Sequence, residues 1–524
     1  MPSNGFGAYR KAVAGSTVFL AAILAFSLSA GFGWFEYSDD QAYVINNPML
    51  AMPLPEALST ALTHFYYADY IPATHLSYMA DRLAFGAGPF GHHAGNLLLH
   101  GVAAVVLFLL FTRLGLGRFA FWAALLWAVH PLNAEPVAWI SQRKTVLSGA
   151  AWVLSFLLYT RWSEKGDKGA YVGALAVFVV ACLAKQLAVA LPLVLLAHEY
   201  TLGKGRAALA DKAPFFAVAV AVGLLTLRTQ DAAGAIQVHH GGSVMYAILF
   251  APRLLVEYVV SFFLPVGLSP VYRYHPEVFF SPFTILSWVA LAVACVLAVT
   301  RYRQWPRFSL GTAWFVLCLL PVTGIVPIPV TRADRYMYLP AMGLCLIVGA
   351  GLVFAAGTIV RARMRVMGAG VVALLFLAVS WHNVVYYRDG LNYWDRAART
   401  NPRYGDAWFE AGIQHLEAGD VDIALDCFRR NIEIAPLDAR PCMEIGAIYL
   451  DGGRIDPAIE YLVMAAGRDP DDPHVWKNLA IAVAKAGGKP ELVHTLVAVG
   501  EARREAPRKT PRGEVLDLKP LFRG

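Results

Sequence analysis

Long apolar runs recur along most of this chain and limit its fold more than any other feature. Some are shorter than the about 20 residues that an upright transmembrane helix needs. Only 15 % of the 524 residues are charged, against about 25 % in an ordinary soluble protein. Lipid can cover this much apolar surface, so we predict an all-α, polytopic membrane protein. Twelve runs are candidate crossings, near residues 12–33, 96–112, 119–132, 145–160, 169–184, 187–200, 213–227, 244–264, 282–300, 309–329, 337–358 and 366–383.

Short basic loops between these runs indicate the orientation, because Lys and Arg favour the cytoplasmic side. All of them share one side only if one run does not cross. The run 244–264 is the candidate, since it carries Arg253 and Glu257 and a charge at the bilayer centre costs roughly 2.5–3.5 kcal/mol. We therefore predict eleven spans, with the N-terminus in the cytoplasm and the C-terminus outside. The loop residues are Arg113 and Arg118, then Arg161, Lys165 and Lys168, then Lys204, Arg206 and Lys212, then Arg301, Arg303 and Arg307, then Arg361, Arg363 and Arg365.

The net charge of +7 is spread over these loops rather than gathered in one patch. The basic residues therefore indicate membrane orientation, and no nucleic-acid partner is predicted. The first outward loop, residues 34–95, is long for a connector and is predicted to be a working surface.

The last part of the chain repeats with a period of 34 residues, as the pairs Gly412 and Gly446, Ala424 and Ala458, and Pro436 and Pro470 show. This is the period of the tetratricopeptide (TPR) repeat, in which small residues let two helices approach closely. We therefore predict a transmembrane domain over 1–385, a TPR-type helical solenoid over 386–505 and a basic tail over 506–524.

Acidic residues occur at two places on the predicted outer side. The motif YSDDQAYVINNP contains Asp39 and Asp40, and HPLNAEPVAWISQRK contains Glu135. A carboxylate at a membrane surface can act as a general base or orient an acceptor hydroxyl. Charges are also expected where a helix leaves lipid, so a solvated loop explains the Asp pair as well.

Basic residues on the same side run against the positive-inside trend. An anionic ligand such as a lipid phosphate would explain them. Anchoring to headgroups, snorkelling of Lys185 and a salt bridge with Asp334 are the structural alternatives. The residues are Arg143, Lys144, Lys185, Arg332 and Arg335.

Histidines and aromatic residues complete the candidate set. His100 lies in FGHHAGNLLLH, His130 opens the Glu135 motif, and Tyr336 follows Arg335. Histidines within a span indicate a functional interior or hydrogen bonds between helices. We predict no metal site, although a divalent metal is left open as a cofactor.

Taken in order, YSDDQAYVINNP, HHAGNLLLH, HPLNAEPVAWISQRK and ADRYMYLP followed by TPR repeats resemble the transmembrane and TPR-containing O-mannosyltransferases and their bacterial relatives. The resemblance implies a GT-C glycosyltransferase fold, a polyprenyl-phosphate sugar donor and an active site outside the cytoplasm. It implies Asp39 as catalytic base with Asp40 beside it, and Glu135 as a second acid. The basic residues would hold the donor phosphate, with Arg335 foremost, and the sugar would be transferred with inversion.

Three functions follow from these features. The leading one is transfer of one sugar to an acceptor, protein Ser or Thr, which the repeats would help to bind. The same chemistry on a lipid or surface glycan is the second, and a non-catalytic membrane scaffold that presents TPR repeats is the third. The expected location is the cell's inner membrane, with the site facing the periplasm or exterior, or the endoplasmic reticulum lumen in a eukaryote.

Overall fold

The computed structural model describes residues 3–35, 38–65, 69–202, 209–232, 243–274, 277–278, 281–325, 330–355 and 362–505. Within these ranges every regular element is a helix, so the predicted all-α class is confirmed. The predicted basic tail 506–524 lies outside the described residues, as do Tyr37 of the acidic motif and the loop residues Lys204, Arg206 and Arg361.

The chain divides into two units, Met1–Asp389 and Gly390–Gly524. The described part of the first unit contains the α-helices α1 Ser3–Phe26, α2 Leu54–Thr63, α3 Pro72–Phe85, α4 Pro89–Arg113, α5 Phe119–Ala128, α6 Ala134–Ala138, α7 Arg143–Lys165, α8 Lys168–Ala184, α9 Leu191–Thr201, α10 Leu209–Ala232, α11 Val244–Phe263, α12 Pro282–Thr300, α13 Pro306–Leu319, α14 Pro340–Ala355 and α15 Ala362–Val384.

Several of these helices are long and apolar enough to cross a membrane. Among the described residues six meet this condition by length and composition, namely Tyr9–Gly31, Pro89–Arg113, Leu209–Asp231, Val244–Phe263, Pro282–Thr300 and Met367–Tyr387. Four shorter apolar helices are Phe119–Ala128, Lys168–Ala184, Pro306–Val322 and Pro340–Ala355. The first unit therefore has the helices of an integral membrane protein.

Proline and short polar side chains set where many of these helices begin. Proline occupies the first turn of α3, α4, α12 and α13, where its missing N–H costs no hydrogen bond. Ser281 caps α12 through the N–H of Thr284, and Asp167 caps α8 through the N–H of Ala170. Such caps satisfy backbone donors that have no partner inside the helix.

One end of the first unit, here called the Asp39 end, collects helix ends around the loop that follows α1. Gly33 O lies 3.4 Å from His93 Nε2 at the start of α4. Arg143 at the start of α7 donates to His92 O at 2.7 Å, and Thr74 donates to Ala184 O at the end of α8 at 3.0 Å. Ser380 near the end of α15 donates to Val129 O, just after α5, at 2.8 Å.

The opposite end of the unit, here called the Arg307 end, surrounds a cavity of about 570 Å³. Its lining includes Arg113 and Glu164 from the ends of α4 and α7, Leu202 after α9, Asp211 from the start of α10, and Arg307 from the start of α13. Tyr171 at the start of α8 donates to Asp211 O at 2.8 Å. A helix that has one end in each of these two sets runs through the unit, and its direction follows from which set contains its first residue.

Among the described helices, α7, α10 and α13 reach from the Arg307 end to the Asp39 end: the two cavities are lined by Glu164 and Lys144 of α7, by Asp211 and Gln230 of α10, and by Arg307 of α13 and Val322 just after it. Two contacts place parts of the helix α11. Phe262 O, in its last turn, is 3.0 Å from His130 Nε2 at the Asp39 end, where α10 has already ended. Trp288 of α12 donates to Leu249 O at 3.1 Å, so α11 lies beside only the first part of α12. Val244–Phe263 is itself long and apolar enough to cross a membrane, so the predicted count of eleven spans stays a prediction.

The charged residues within α11 are paired. The run 244–264 is predicted not to cross because an unpaired charge at the bilayer centre is costly, and this reason does not apply to paired charges. Arg253 donates to Glu257 at 2.7 Å and to Ser281 Oγ at 2.6 Å. Arg332 donates to the other oxygen of Glu257 at 2.8 Å. The cost of unpaired charge therefore does not exclude this run as a span, and its predicted exclusion stays a prediction.

The second unit consists of paired helices in its described part. In each of two successive pairs, a glycine makes room for a large side chain of the other helix. A Cβ at Gly412 would lie 2.6 Å from Phe428, and one at Gly446 would lie 2.6 Å from Leu462. These positions repeat the 34-residue spacing, while the TPR solenoid itself stays a prediction. The helices are α16 Gly390–Thr400, α17 Gly405–Glu417, α18 Val421–Ile434, α19 Arg440–Asp451, α20 Ile455–Arg468, α21 Pro473–Lys485 and α22 Pro490–Glu505.

Candidate active site

A cavity of about 640 Å³ at the Asp39 end combines charged and apolar walls. Five of the residues predicted from sequence line it: Asp39, Lys144, Lys185, Arg335 and Tyr336. Asp69, Gln142 and Gln186 add polar groups, while the apolar wall includes Leu187, Val189, Val220, Leu224, Leu227, Val322 and Val330. The first loop, the starts of α7 and α14 and the ends of α8 and α10 thus meet in one site.

The neighbouring residues Asp39 and Asp40 face different surroundings. Asp39 is exposed and lines the cavity. Asp40 is 1 % exposed, and its Oδ1 accepts from the Ser141 N–H at 2.8 Å while its Oδ2 has no hydrogen-bond partner. Burial raises the pKa of Asp40 to about 7, against the opposing effect of the Ser141 hydrogen bonds. Only Asp39 is therefore placed to meet a substrate.

Asp69 is the cavity carboxylate that the sequence analysis missed. Its Oδ2 accepts from Tyr43 Oη at 2.8 Å and from Lys144 Nζ at 3.2 Å, and its Oδ1 lies 3.5 Å from Gln186 Nε2. Burial raises the pKa of Asp69, but the Lys144 charge and these hydrogen bonds outweigh it and hold the pKa below its usual value. Asp69 neutralises Lys144 and fixes its ammonium at the cavity wall.

Lys185 has a different environment, because no carboxylate among the described residues forms an ion pair with it. It is 9 % exposed and donates to Thr145 Oγ1 at 2.7 Å. Burial and the nearby charges of Lys144 and Arg335 hold the pKa of Lys185 well below its usual value. An anionic ligand in the cavity would relieve this repulsion.

Arg335 is fixed by Glu135 from two directions. Glu135 accepts from the Arg335 backbone N–H at 2.8 Å and also forms an ion pair with its guanidinium. Glu135 is 1 % exposed and is not among the residues that line the cavity. The predicted second acid therefore contacts Arg335 instead of facing Asp39 across the cavity.

Arg332 and Asp334, the neighbours of Arg335 in the segment TRADRY, are held by α11 and by the loop between α11 and α12. Arg332 donates to Glu257 and, at 2.6 Å, to Ser261 Oγ, and Asp334 accepts from Tyr272 Oη at 2.8 Å. Burial raises the pKa of Asp334 to about 7, and the Glu135 charge adds to the effect. Arg332, predicted as a phosphate ligand, is thus paired within the protein and away from the cavity lining.

Arg143, another predicted phosphate ligand, also binds groups within the protein and does not line the cavity. It is 1 % exposed and pairs with Asp81 at 2.6 Å. It donates further to Asn96 Oδ1 at 2.5 Å and to His92 O at 2.7 Å. With its donors used inside the protein, Arg143 joins α3, α4 and α7 at this end of the unit.

The two candidate histidines are buried between helices. His100 lies 3.0 Å from Tyr338 Oη and 2.9 Å from Ala128 O. His130 lies 3.0 Å from Phe262 O, and its Nδ1 accepts from the Leu132 N–H at 3.2 Å. These contacts match the hydrogen-bonding alternative for both residues. Among the residues that the structure describes, no group of three or more His, Cys, Asp or Glu could hold a metal ion.

The fold and site define a polytopic helical membrane protein with a charged cavity at one end. Protein O-mannosyl-transferase TMTC3 of Homo sapiens is 23 % identical to it over 471 residues, which cover 77 % of this chain and 49 % of that protein. Protein O-mannosyl-transferase TMTC1 of Mus musculus is 32 % identical over 145 residues, 25 % of this chain and 15 % of that protein. The predicted resemblance to this family is confirmed by these relatives.

The similarity has limits of length and depth. The chain spans about half the length of TMTC3, with which it aligns over most of its own length. No protein-family model matches it. A crystal structure of ArnT from Cupriavidus metallidurans bound to undecaprenyl phosphate aligns with 96 % of this chain and 78 % of that chain, at a TM-score of 0.38 and 16 % identity.

Proposed function

We propose that this protein is a membrane glycosyltransferase that moves one sugar from a polyprenyl phosphate to an acceptor hydroxyl. The observation that carries the proposal is the composition of the cavity at the Asp39 end. The cavity is lined by an exposed carboxylate (Asp39), by cations and by an apolar wall. One of the cations, Lys185, forms no ion pair with a carboxylate among the described residues and donates to Thr145 instead. A lipid-linked sugar phosphate supplies an anionic leaving group for the cations and a hydrocarbon chain for the apolar wall, and the acceptor supplies the hydroxyl that Asp39 would deprotonate.

In this proposal the reaction is a single displacement. Asp39 takes the proton of the acceptor hydroxyl as its oxygen attacks the anomeric carbon. The bond between that carbon and the phosphate oxygen breaks, and the electron pair leaves with the lipid phosphate. Lys185, Lys144 and Arg335 stabilise this anion. Attack opposite the leaving group inverts the anomeric configuration.

The names of the relatives supply the finer parts of the proposal. They are protein O-mannosyl-transferases, so mannose is the proposed sugar and protein Ser or Thr the proposed acceptor. The second unit is proposed to bind the acceptor protein. The site is proposed to face away from the cytoplasm, because the loops with Arg113, Arg161 and Arg301 lie at the other end.

Substitution of the proposed base tests the activity directly. Asp39→Asn should lower kcat for sugar transfer by at least about a hundredfold, since a positioned base contributes roughly 10²–10⁴-fold. Purified protein in detergent, a radiolabelled mannosyl polyprenyl phosphate and an acceptor protein form the assay. Because Asp39 is exposed, the variant should elute and melt as the wild type does.

Glu56→Gln is the matched control, since Glu56 is an exposed acid in the first turn of α2 within the same loop. It should leave transfer unchanged. Full activity in Asp39→Asn would refute the base assignment. A wild-type protein that consumes no lipid-linked sugar would favour the scaffold function, and transfer to lipid or glycan alone would favour the other acceptor class.

A further inference from the structure

A groove of about 480 Å³ at the Arg307 end plays no part in the proposed reaction. It is lined by residues at the end of α12, the start of α13 and the last turns of α14. On α14, Ile347, Gly351 and Phe354 line it at spacings of three and four residues, which places them on one face of the helix. Phe354 is 76 % exposed and Trp305, which also lines the groove, is 45 % exposed. This apolar surface is therefore open within the described part of the chain.

Two nearby glycines of α14 differ in what surrounds them. A Cβ at Gly349 would lie 2.6 Å from Leu116, so close packing explains this glycine. A Cβ at Gly351 would meet no atom within 4 Å, although glycine weakens a helix relative to alanine. The side chain that is absent at Gly351 therefore leaves room in the groove and not for a neighbouring helix.

Positive charge without an acidic partner lies beside this apolar surface. Arg307 lines both the groove and the polar cavity at the same end, and its Nε donates to a backbone oxygen at 2.8 Å. Arg301 and Arg303 precede it in the connection between α12 and α13, where they donate to the neutral side chains of Gln304 and Tyr302. Among the residues that the structure describes, none of these three arginines forms an ion pair with a carboxylate.

We propose that this groove binds an anionic phospholipid from the membrane leaflet at the Arg307 end. An acyl chain fills the groove along the α14 face, where close contact with Ile347 and Phe354 gains dispersion energy. The lipid phosphate binds the guanidinium of Arg307, whose fork matches phosphate oxygens. Basic pockets between transmembrane helices select anionic head groups in this way. The site is separate from the Asp39-end cavity and does not depend on the proposed sugar transfer.

Lipid binding to the purified full-length protein in detergent tests the proposal. Native mass spectrometry gives the Kd of the first bound dioleoyl phosphatidylglycerol and of dioleoyl phosphatidylcholine. Phosphatidylglycerol should bind about tenfold more tightly or better, because only this lipid has a net negative charge. Arg307→Gln and Gly351→Trp should each weaken its binding by about tenfold or more, since the first removes charged hydrogen bonds and the second fills the groove.

Two control variants separate this site from general effects of charge and bulk. Arg118 is an exposed basic residue in the loop after α4 that does not line the groove, and Gly368 is an exposed glycine of α15 where a Cβ would also meet no atom within 4 Å. Arg118→Gln and Gly368→Trp should both bind phosphatidylglycerol as the wild type does.

Three results would overturn the site. Equal Kd values for the two lipids in the wild type would leave the groove as a surface for any bilayer lipid. Equal weakening by Arg118→Gln and Arg307→Gln would leave the arginines as an orientation signal alone. Loss of phosphatidylglycerol binding in folded Lys185→Gln, with full binding in Arg307→Gln, would place the lipid in the Asp39-end cavity instead.

Discussion

Asp39 and Asp40 are adjacent in sequence, yet only one of them is in contact with the cavity. Asp40 is buried and does not line the cavity. Its Oδ1 accepts a hydrogen bond from the Ser141 N–H, and its Oδ2 has no hydrogen-bond partner. The doublet alone does not separate the two, because their exposure depends on how residues 139–142 pack against the loop. The side chain directed to the cavity is the better candidate for the base.

Asp40 should make stability depend on pH. Its pKa is about 7 when folded, against 3.8 as the ordinary value, so the unfolded chain loses this proton first. The free energy of unfolding should fall as the pH rises from about 4 to about 7. The loss due to Asp40 alone is on the order of 4 kcal/mol once this residue is fully ionised in the folded protein. Asp40→Asn removes this contribution, and its amide oxygen can still accept from Ser141.

The measurement is the melting temperature of both proteins in detergent across this pH range. Asp334 has a similar pKa, so each protein keeps a pH dependence of its own and the difference between them isolates Asp40. That difference should move in favour of Asp40→Asn with rising pH. A difference that stays constant with pH would show that folding does not raise the pKa of Asp40.

Glu135 is expected to act through Arg335, because it binds both the backbone and the guanidinium of that residue. Glu135→Gln weakens a charge-assisted hydrogen bond of about 1.5–3 kcal/mol. The KM for the donor should therefore rise by about ten- to a hundredfold, with a smaller change in kcat. Steady-state kinetics with varied donor and with varied acceptor measures the two effects.

The acceptor KM and the pH profile of kcat should be unchanged in Glu135→Gln. Loss of kcat together with one limb of the pH profile would instead restore the role of second catalytic acid. Glu257→Gln is a useful comparison, since Glu257 binds Arg332 rather than Arg335 and should affect stability more than donor affinity.

Among the elements, long apolar runs predict the membrane helices well but do not predict the short connecting segments. Each of the six described helices that are long and apolar enough to cross a membrane overlaps a predicted run, because hydropathy identifies segments that a bilayer can accommodate. The site, however, depends on the irregular segments at 38–47, 139–142, 185–190 and 331–337. Their paths are decided by hydrogen bonds between distant residues, such as Tyr78 Oη to Ile140 O at 3.0 Å.

Asp69 shows this limit most clearly. It lies in the sequence FYYADY within the long first loop, without a motif or a helical period to mark it. Its place in the cavity follows from contacts with Tyr43, Lys144 and Gln186, which come from three separate segments. The basic residues were recognisable as a group, but which of them face the cavity depends on acids such as Asp81 and Glu257 that pair with the others.

At the scale of the whole molecule, the positions of the basic loops predict an orientation in the membrane. The loops with Arg113, Arg161 and Arg301 follow α4, α7 and α12 at the Arg307 end, so that end is expected in the cytoplasm. The predicted eleven passes from a cytoplasmic N-terminus would leave the C-terminus outside. The position of α11 decides this parity, because a twelfth crossing would return the C-terminus to the cytoplasm.

Fusion reporters placed along the chain test this orientation. Alkaline phosphatase, active only after export, should be active when fused after Gly524 and inactive when fused after Arg303. Fusions after Ser243 and after Leu268, on either side of α11, should both be active if α11 does not cross the membrane, as predicted. Opposite results at these two positions would make α11 a full crossing. A cytoplasmic reporter after Gly524 would then follow, and the proposed placing of the second unit outside would be wrong.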